Sequence, residues 1–211
     1  MTTIYLIRHG ESEGNKIRSF LGHTDLPLTE KGHLQADMTA QYLKNIGADV
    51  IYSSDLLRAY QTACHTADIL CLPVIKNQGV REIFAGEWEG QLFDDLMVKY
   101  EKSYGVWKND IGRACPDGGE SVAHLSDRVF DTLTEIAREN DGKTVFIFTH
   151  ATPIRTFASR CLGKSLDQLK ELPWANNASV TKVEYDGKFK LVDYGNDSFM
   201  GELSTALPKN V

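Results

Sequence analysis

Thr3-Ile4-Tyr5-Leu6-Ile7-Arg8-His9-Gly10-Glu11-Ser12-Glu13-Gly14-Asn15 carries a structural and a chemical signal in one stretch. Its first five residues form an apolar run rich in β-branched side chains, and Gly10 follows: the pattern of a buried strand ending in a loop. A stronger run of the same kind, TVFIFT at 144–149, reads as a central parallel strand, and His150 comes directly after it. Ligands in open α/β sheets bind outside the carboxyl ends of the strands. Two strands that each deliver a histidine there predict a pocket shared by His9 and His150.

The rest of the chain is organised around these strands. Thr29 precedes a segment with Leu34, Met38, Tyr42 and Ile46 on one helical face, closed by Gly47. Residues 49–53 read as a strand, and Ser54 or Asp55 is the expected cap of a helix carrying Arg58, Ala59, Ala63 and Ala67. A further strand is expected at 73–76, a Gly-containing loop at 79–91, and helices at 92–103 and 121–139. Pro153 suits the first turn of the helix after His150. Ser165 and Gln168 have capping-box spacing, and 179–185 and 188–194 alternate around Asp186-Gly187, a hairpin signal. No clear pattern follows 196. Strands interleaved with helices imply an α/β fold whose sheet is mainly parallel, made mixed by the hairpin.

The 211 residues suit one domain, 1–211, and the mix of 42% hydrophobic and 25% charged residues is that of a globular protein. No apolar run approaches the roughly 20 residues of a membrane-spanning helix. MTTIYLIRHG does not read as a signal peptide, so the cytoplasm is the expected location. Cys64, Cys71, Cys115 and Cys161 are scattered without a CxxC pair, which argues against a zinc ribbon or a disulfide scaffold. A net charge of −6 excludes nucleic acid and anionic membrane as partners of the surface as a whole. An anionic ligand then needs positive charge concentrated locally. The oligomeric state is not legible.

That concentration is available. A phosphoryl group carries up to about two negative charges on oxygens that accept several hydrogen bonds, and arginine matches it with a planar fork of donors. Arg8 and Arg58 both lie just after predicted strands, Arg58 in the first turns of a helix, where anions are favoured. A neutral imidazole can attack phosphorus, and a covalent phosphohistidine splits one difficult displacement into two. One carboxyl group can protonate the leaving oxygen and then activate water. Glu82, Glu87 and Glu89, in VREIFAGEWEG, are all candidates on spacing alone.

IYLIRHGESEGN resembles the opening motif of the histidine phosphatase superfamily, the phosphoglycerate mutase-like group. SSDLLRAYQTA, REIFAGEWEG, PDGGES and the strand ending in THATPIR are similar to its later motifs, in the family's order. The resemblance implies a three-layer α/β/α sandwich, a small phosphorylated metabolite as partner, and no metal or other cofactor. It implies His9 as nucleophile and Glu82 as proton donor. Arg8, Asn15, Gly22, Arg58, His150 and the backbone of Ala151 would bind substrate, with Arg8, Arg58 and His150 around the phosphoryl oxygens. Ala151-Thr152 replace two glycines usual after the second histidine, and Leu21 stands where glutamine is frequent. Both departures bear on substrate choice.

Phosphatases and mutases share these motifs. A mutase must retain an intermediate and exclude water, which favours an enclosing lid, and the chain is compact between Glu82 and His150, so hydrolysis of phosphomonoesters is expected. Mutase-type transfer is the alternative, and a catalytically weak phosphate-binding module a more distant one. Phe84, Trp88, Phe93, Tyr100, Tyr104 and Trp107 are expected to pack a core or loop, with one or two reaching substrate. His23 and His33 read as surface residues, and His65 and His124 as helical residues without an obvious partner. Gly10-Glu11-Ser12-Glu13-Gly14 also fits a serine-hydrolase elbow, but almost no chain precedes it to supply the oxyanion hole. A metal hydrolase built on His9, Glu11, His23 and His150 lacks ligand-like spacing.

Overall fold

The computed structural model describes residues 1–205. In chain order the elements are β1 (Thr2–Arg8), α1 (Glu13–Lys16), α2 (Glu30–Lys44), β2 (Val50–Ser53), α3 (Leu57–Leu70), β3 (Val74–Lys76), α4 (Phe93–Lys99), α5 (Glu101–Asn109), α6 (Val122–Glu139), β4 (Thr144–Thr149), α7 (Ala151–Cys161), β5 (Val180–Tyr185) and β6 (Phe189–Asn196). The six strands form one sheet in the order β3-β2-β4-β1-β5-β6. β1, β2, β3 and β4 are parallel; β5 runs antiparallel to β1, and β6 to β5. The sheet is therefore mixed and mainly parallel, as expected.

Two apolar clusters cover its faces. On one, Ile4, Leu6, Val145 and Ile147 meet Leu125, Val129 and Ile136 of α6 and Phe157 of α7. On the other, Ile7, Phe146 and Phe148 meet Leu43 of α2 and Ala63 and Ala67 of α3. Alternate residues of one strand serve opposite faces, so strands covered on both sides read as the continuous apolar runs seen in the sequence. The layers are helix, sheet, helix.

The chain crosses from β1 to β2 and returns to place β4 between them. In that register Arg8 faces Thr149, so the loops after β1 and β4 leave the sheet side by side. This pairing brings His9 and His150 together. Close approach of the loop after β1 to α2 depends on glycine: a Cβ on Gly10 would stand 2.5 Å from the Gly32 carbonyl oxygen.

Several local expectations are corrected. The buried face of α2 is Gly32, Gln35, Ala36, Thr39, Ala40 and Leu43, whereas Leu34 and Met38 are 53% and 39% exposed. Small side chains let the helix lie close, and its buried polar groups have partners: Gln35 accepts from the Glu11 N–H and Thr39 donates to the Ala178 carbonyl. Neither Ser54 nor Asp55 caps α3. The cap residue is Leu56, and Asp25 from a distant loop accepts from the Leu57 N–H at 2.6 Å. Ser54 is turned to His150, and Asp55 pairs with Arg81. The helix expected at 92–103 is two helices that break at Tyr100, whose hydroxyl donates to Glu87. The capping box of Ser165 and Gln168 is formed, but it opens a 3-10 turn at Leu166–Glu171.

His65 and His124 do have partners. The Asp37 carboxylate accepts from His65 Nδ1–H at 2.6 Å, so His65 Nε2 accepts in turn from His33 Nδ1 at 3.0 Å. His124 lies 3.5 Å from Glu120. Among the described residues no helix is long and apolar enough to cross a membrane.

Candidate active site

A cavity of about 260 Å³ opens at the carboxyl edge of the sheet, lined by Arg8, His9, Asn15, Arg58, Glu82 and Ala151 among others. Each of these is held by its own local structure. His9 is buried, and its Nδ1 lies 2.7 Å from the Gly10 carbonyl oxygen. A carbonyl only accepts, so Nδ1 carries the proton and Nε2 keeps its lone pair. Burial, then the charges of Arg58 and Arg8, holds the imidazolium form of His9 well below its ordinary pKa of 6.5. The ring is neutral and in the tautomer a nucleophile requires.

Ser12 and Asn15 form a capping box on α1, which sequence reading did not find. Asn15 Oδ1 accepts from the Ser12 N–H and hydroxyl and from Asn177 Nδ2. Its own Nδ2 is thereby left as the donor on a residue that lines the cavity. The buried Ser12 hydroxyl is spent on this cap, and Ser12 is not part of the lining, which removes the serine-hydrolase reading.

Both arginines are buried and neither has an ion pair among the described residues. Arg8 Nη1 donates to the Ala175 carbonyl at 2.6 Å, and Arg58 donates to Gly22 and Thr24 carbonyls at 2.8 and 3.0 Å. Gly22 sits at φ +49°, and a Cβ there would meet Glu89 Oε1 at 2.2 Å. Gly22 lines the cavity, and its carbonyl accepts from Arg58. The Nε atoms of both guanidinium groups are buried without partners. Burial lowers the pKa of each to about 10, and Glu82 is the foremost opposing charge. Both remain charged at neutral pH.

His150 is fully buried, with its ring centroid 5.2 Å from that of His9. Nε2 meets the Ser54 hydroxyl at 2.8 Å, and Nδ1 has no partner. The ring backs onto His9 and is not itself on the cavity wall. Burial, then Arg58 and His9, keeps it neutral well below 6.5. Ala151 begins α7, so its N–H has no acceptor within the helix. The next N–H, of Thr152, donates to Glu82 Oε2 at 3.3 Å, while Ile83 N–H donates to Oε1 at 2.9 Å.

The three glutamates differ in position. Glu82 lines the cavity and Glu87 and Glu89 do not. Glu89 is a structural clamp that accepts from the N–H groups of His23, Thr24 and Ala85 and from the Thr24 hydroxyl. His23 is half-buried, not a surface residue, and its Nε2–H donates to the Glu82 carbonyl at 2.9 Å. Among the described residues no group of three or more His, Cys, Asp or Glu side chains is arranged to hold a metal ion. Of the six aromatics singled out, Phe93 and Trp107 reach the cavity, and Trp88 and Tyr104 are core. Asn177 and Trp174 were missed. They sit in an irregular segment before β5 with no periodic signal, although both line the cavity.

A phosphoryl-sized anion among Arg8, Arg58, Asn15 Nδ2 and Ala151 N–H would find its phosphorus facing a neutral imidazole, with a carboxyl group alongside. The chain belongs to the histidine phosphatase superfamily (branch 1), whose family model matches residues 4–198. Phosphoserine phosphatase 1 of Hydrogenobacter thermophilus is 33% identical over 195 residues, 91% of this chain and 90% of the relative. Probable phosphoglycerate mutase GpmB of Serratia proteamaculans is 31% identical over 189 residues, 88% of this chain and 86% of the relative. Among solved structures, YhfR of Bacillus stearothermophilus matches with a TM-score of 0.91 at 30% identity, covering 95% of this chain and 100% of that one.

Proposed function

We propose that the protein hydrolyses small phosphomonoesters through a phosphohistidine at His9. The observation that carries the reading is the His9 ring itself: Nδ1–H is committed to the Gly10 carbonyl, and Nε2 is left unprotonated in a cavity that two buried arginines also line. In the first step Nε2 attacks phosphorus, the P–O bond to the alcohol breaks, and Glu82 passes its proton to the departing oxygen. In the second step the Glu82 carboxylate takes a proton from water, the water oxygen attacks phosphorus, and the N–P bond breaks to release inorganic phosphate. Arg8, Arg58, Asn15 and the Ala151 N–H hold the non-bridging oxygens, Gly22 aims Arg58, and His150 packs against the His9 ring from behind. These positive groups stabilise charge as it develops.

Rapid quenching with a ³²P-labelled substrate tests this. An acid-labile, base-stable label is expected on the wild type and none on His9→Ala. A labelled, active His9→Ala protein would defeat the proposal. The kinship with a protein named for phosphoglycerate mutation favours a second reading, in which an alcohol replaces water as acceptor. Inorganic phosphate released in proportion to substrate consumed, with no isomeric phosphate, supports hydrolysis. We also read 1–211 as one domain, since both apolar clusters pack on the same sheet, and the cytoplasm as its location, since all four cysteines are free thiols.

A further inference from the structure

We propose that the apolar wall of the cavity takes an arylalkyl alcohol, so that arylalkyl phosphomonoesters are preferred to phosphates of small polar alcohols; this rests on the phosphohistidine reading above. The lining is of two chemical kinds: the cationic nest, and an apolar wall of Phe20, Leu21, Phe93, Trp107 and Trp174.

This wall is held by contacts among its own rings. Phe20 stands edge-to-face with Trp107 at 4.9 Å, with Trp88 at 5.5 Å and with Phe93 at 6.1 Å. Trp107 lies nearly parallel to Trp174 at 6.4 Å, and the Arg155 guanidinium covers one face of Trp174 at 4.2 Å. The rings lock one another, so little side-chain freedom remains to be lost on binding. Phe93 and Trp174 are only half-buried and expose ring surface. Aromatic rings present positive edges and negative faces, and another ring satisfies both.

Arg18 also lines the cavity but is exposed, so water competes with a substrate for its guanidinium; the other polar groups serve a small charged alcohol poorly. Glu11, the one other carboxylate on the lining among the described residues, accepts from the Thr29 hydroxyl at 3.0 Å and lies 3.9 Å from Lys31. An ammonium group on the substrate would have to compete for it. The Ser19 hydroxyl is buried and turned to the Gly14 carbonyl. A compact polar alcohol would thus leave the aromatic wall wet.

The test compares kcat/KM for benzyl phosphate, ethyl phosphate and O-phosphoserine. Benzyl and ethyl alcohol are both unactivated leaving groups, so their ratio reports contact with the ring and not chemistry. Transfer of a phenyl ring of roughly 100 Å² out of water predicts about a 50-fold preference for benzyl phosphate. Phe93→Ala should cut that ratio by about 5-fold or more; Trp174→Leu is the second probe should the first variant not fold. A wild-type ratio near one, a preference for phosphoserine over benzyl phosphate, or a ratio unchanged in both variants overturns the inference while phosphohistidine chemistry stands. Absence of turnover and of label with every substrate sinks the chemistry, and this inference with it.

Discussion

Glu82→Gln separates the two duties assigned to one carboxyl group. In the native site Oε1 accepts from the Ile83 N–H and Oε2 from the Thr152 N–H. Glutamine keeps one acceptor oxygen, so one of these bonds is lost, worth about 0.5–1.5 kcal/mol or roughly a 2- to 10-fold effect. That structural part falls on every substrate alike. The chemical part does not. Ethyl phosphate needs its leaving oxygen protonated, and loss of a general acid costs about 10²- to 10⁴-fold, or about 2.7–5.4 kcal/mol. Nitrophenolate leaves unaided, so kcat/KM for p-nitrophenyl phosphate, which reports the first step, should fall only about 10-fold or less. Water activation is lost for both substrates, so kcat falls even for the aryl ester. Stopped-flow should then show a burst of nitrophenolate stoichiometric with enzyme, followed by slow turnover as the phosphohistidine accumulates. Equal losses of kcat/KM for the ethyl and nitrophenyl esters, without a burst, would refute the assignment.

The hydroxyl of Ser54 accepts from the Leu56 N–H, which frees its own proton for His150 Nε2 and puts the ring proton on the partnerless Nδ1. Ser54→Ala should lower kcat/KM about 10-fold and shift the His150 tautomer in ¹⁵N spectra; unchanged values for both would show that the proton is placed by something else. His9 and His150 are held neutral in the fold, both chiefly by burial. Below about pH 6.5 the unfolded chain binds protons that the folded chain does not, so stability is complete above that pH and declines beneath it, by about 1.4 kcal/mol per pH unit for each ring. Urea melts between pH 7.5 and 5.5 should show this slope, and it should shrink in a His9→Asn, His150→Asn double variant. Gly22→Ala forces a side chain into Glu89 at a positive φ and so displaces the carbonyl that aims Arg58. The inhibition constant for inorganic phosphate should rise about 10-fold or more, and an unchanged constant would mean Arg58 is placed without it.

The central elements were legible because burial on both faces writes continuous apolar runs. β4 has the bounds expected for it, and β1, β2, β3 and the hairpin differ from expectation by a few residues at most. Errors arose where tertiary partners outbid local chemistry. The interior face of α2 is small and polar because Gln35 and Thr39 bond to distant backbone. A periodicity argument that looks for large apolar residues selects the wrong stripe there. Ser54 and Asp55 have capping chemistry, but His150 and Arg81 claim their side chains. Asn177 was invisible for another reason: it precedes β5 in a segment without period, and only the fold brings its amide to Asn15 and to the His9 carbonyl. Residues inside the motifs were found, Glu82 in its irregular loop included; Asn177 and Trp174, irregular and outside any motif, were not.

The site shows why the charge on this chain must be so unevenly placed. A net charge of −6 would repel a phosphomonoester from the surface at large, yet Arg8 and Arg58 are buried at one strand edge with no ion pair among the described residues. In the proposed reaction they bind the anion, and the same two charges oppose protonation of His9. Surface arginines paired with carboxylates would do neither, because solvent and counter-charge would screen them. Burial alone would also keep an imidazole neutral, but it would offer nothing to a dianion. Only unpaired, buried cations make the nucleophile competent and its target welcome at once. The register that sets Arg8 opposite Thr149 is what lets one short segment of sheet hold both effects.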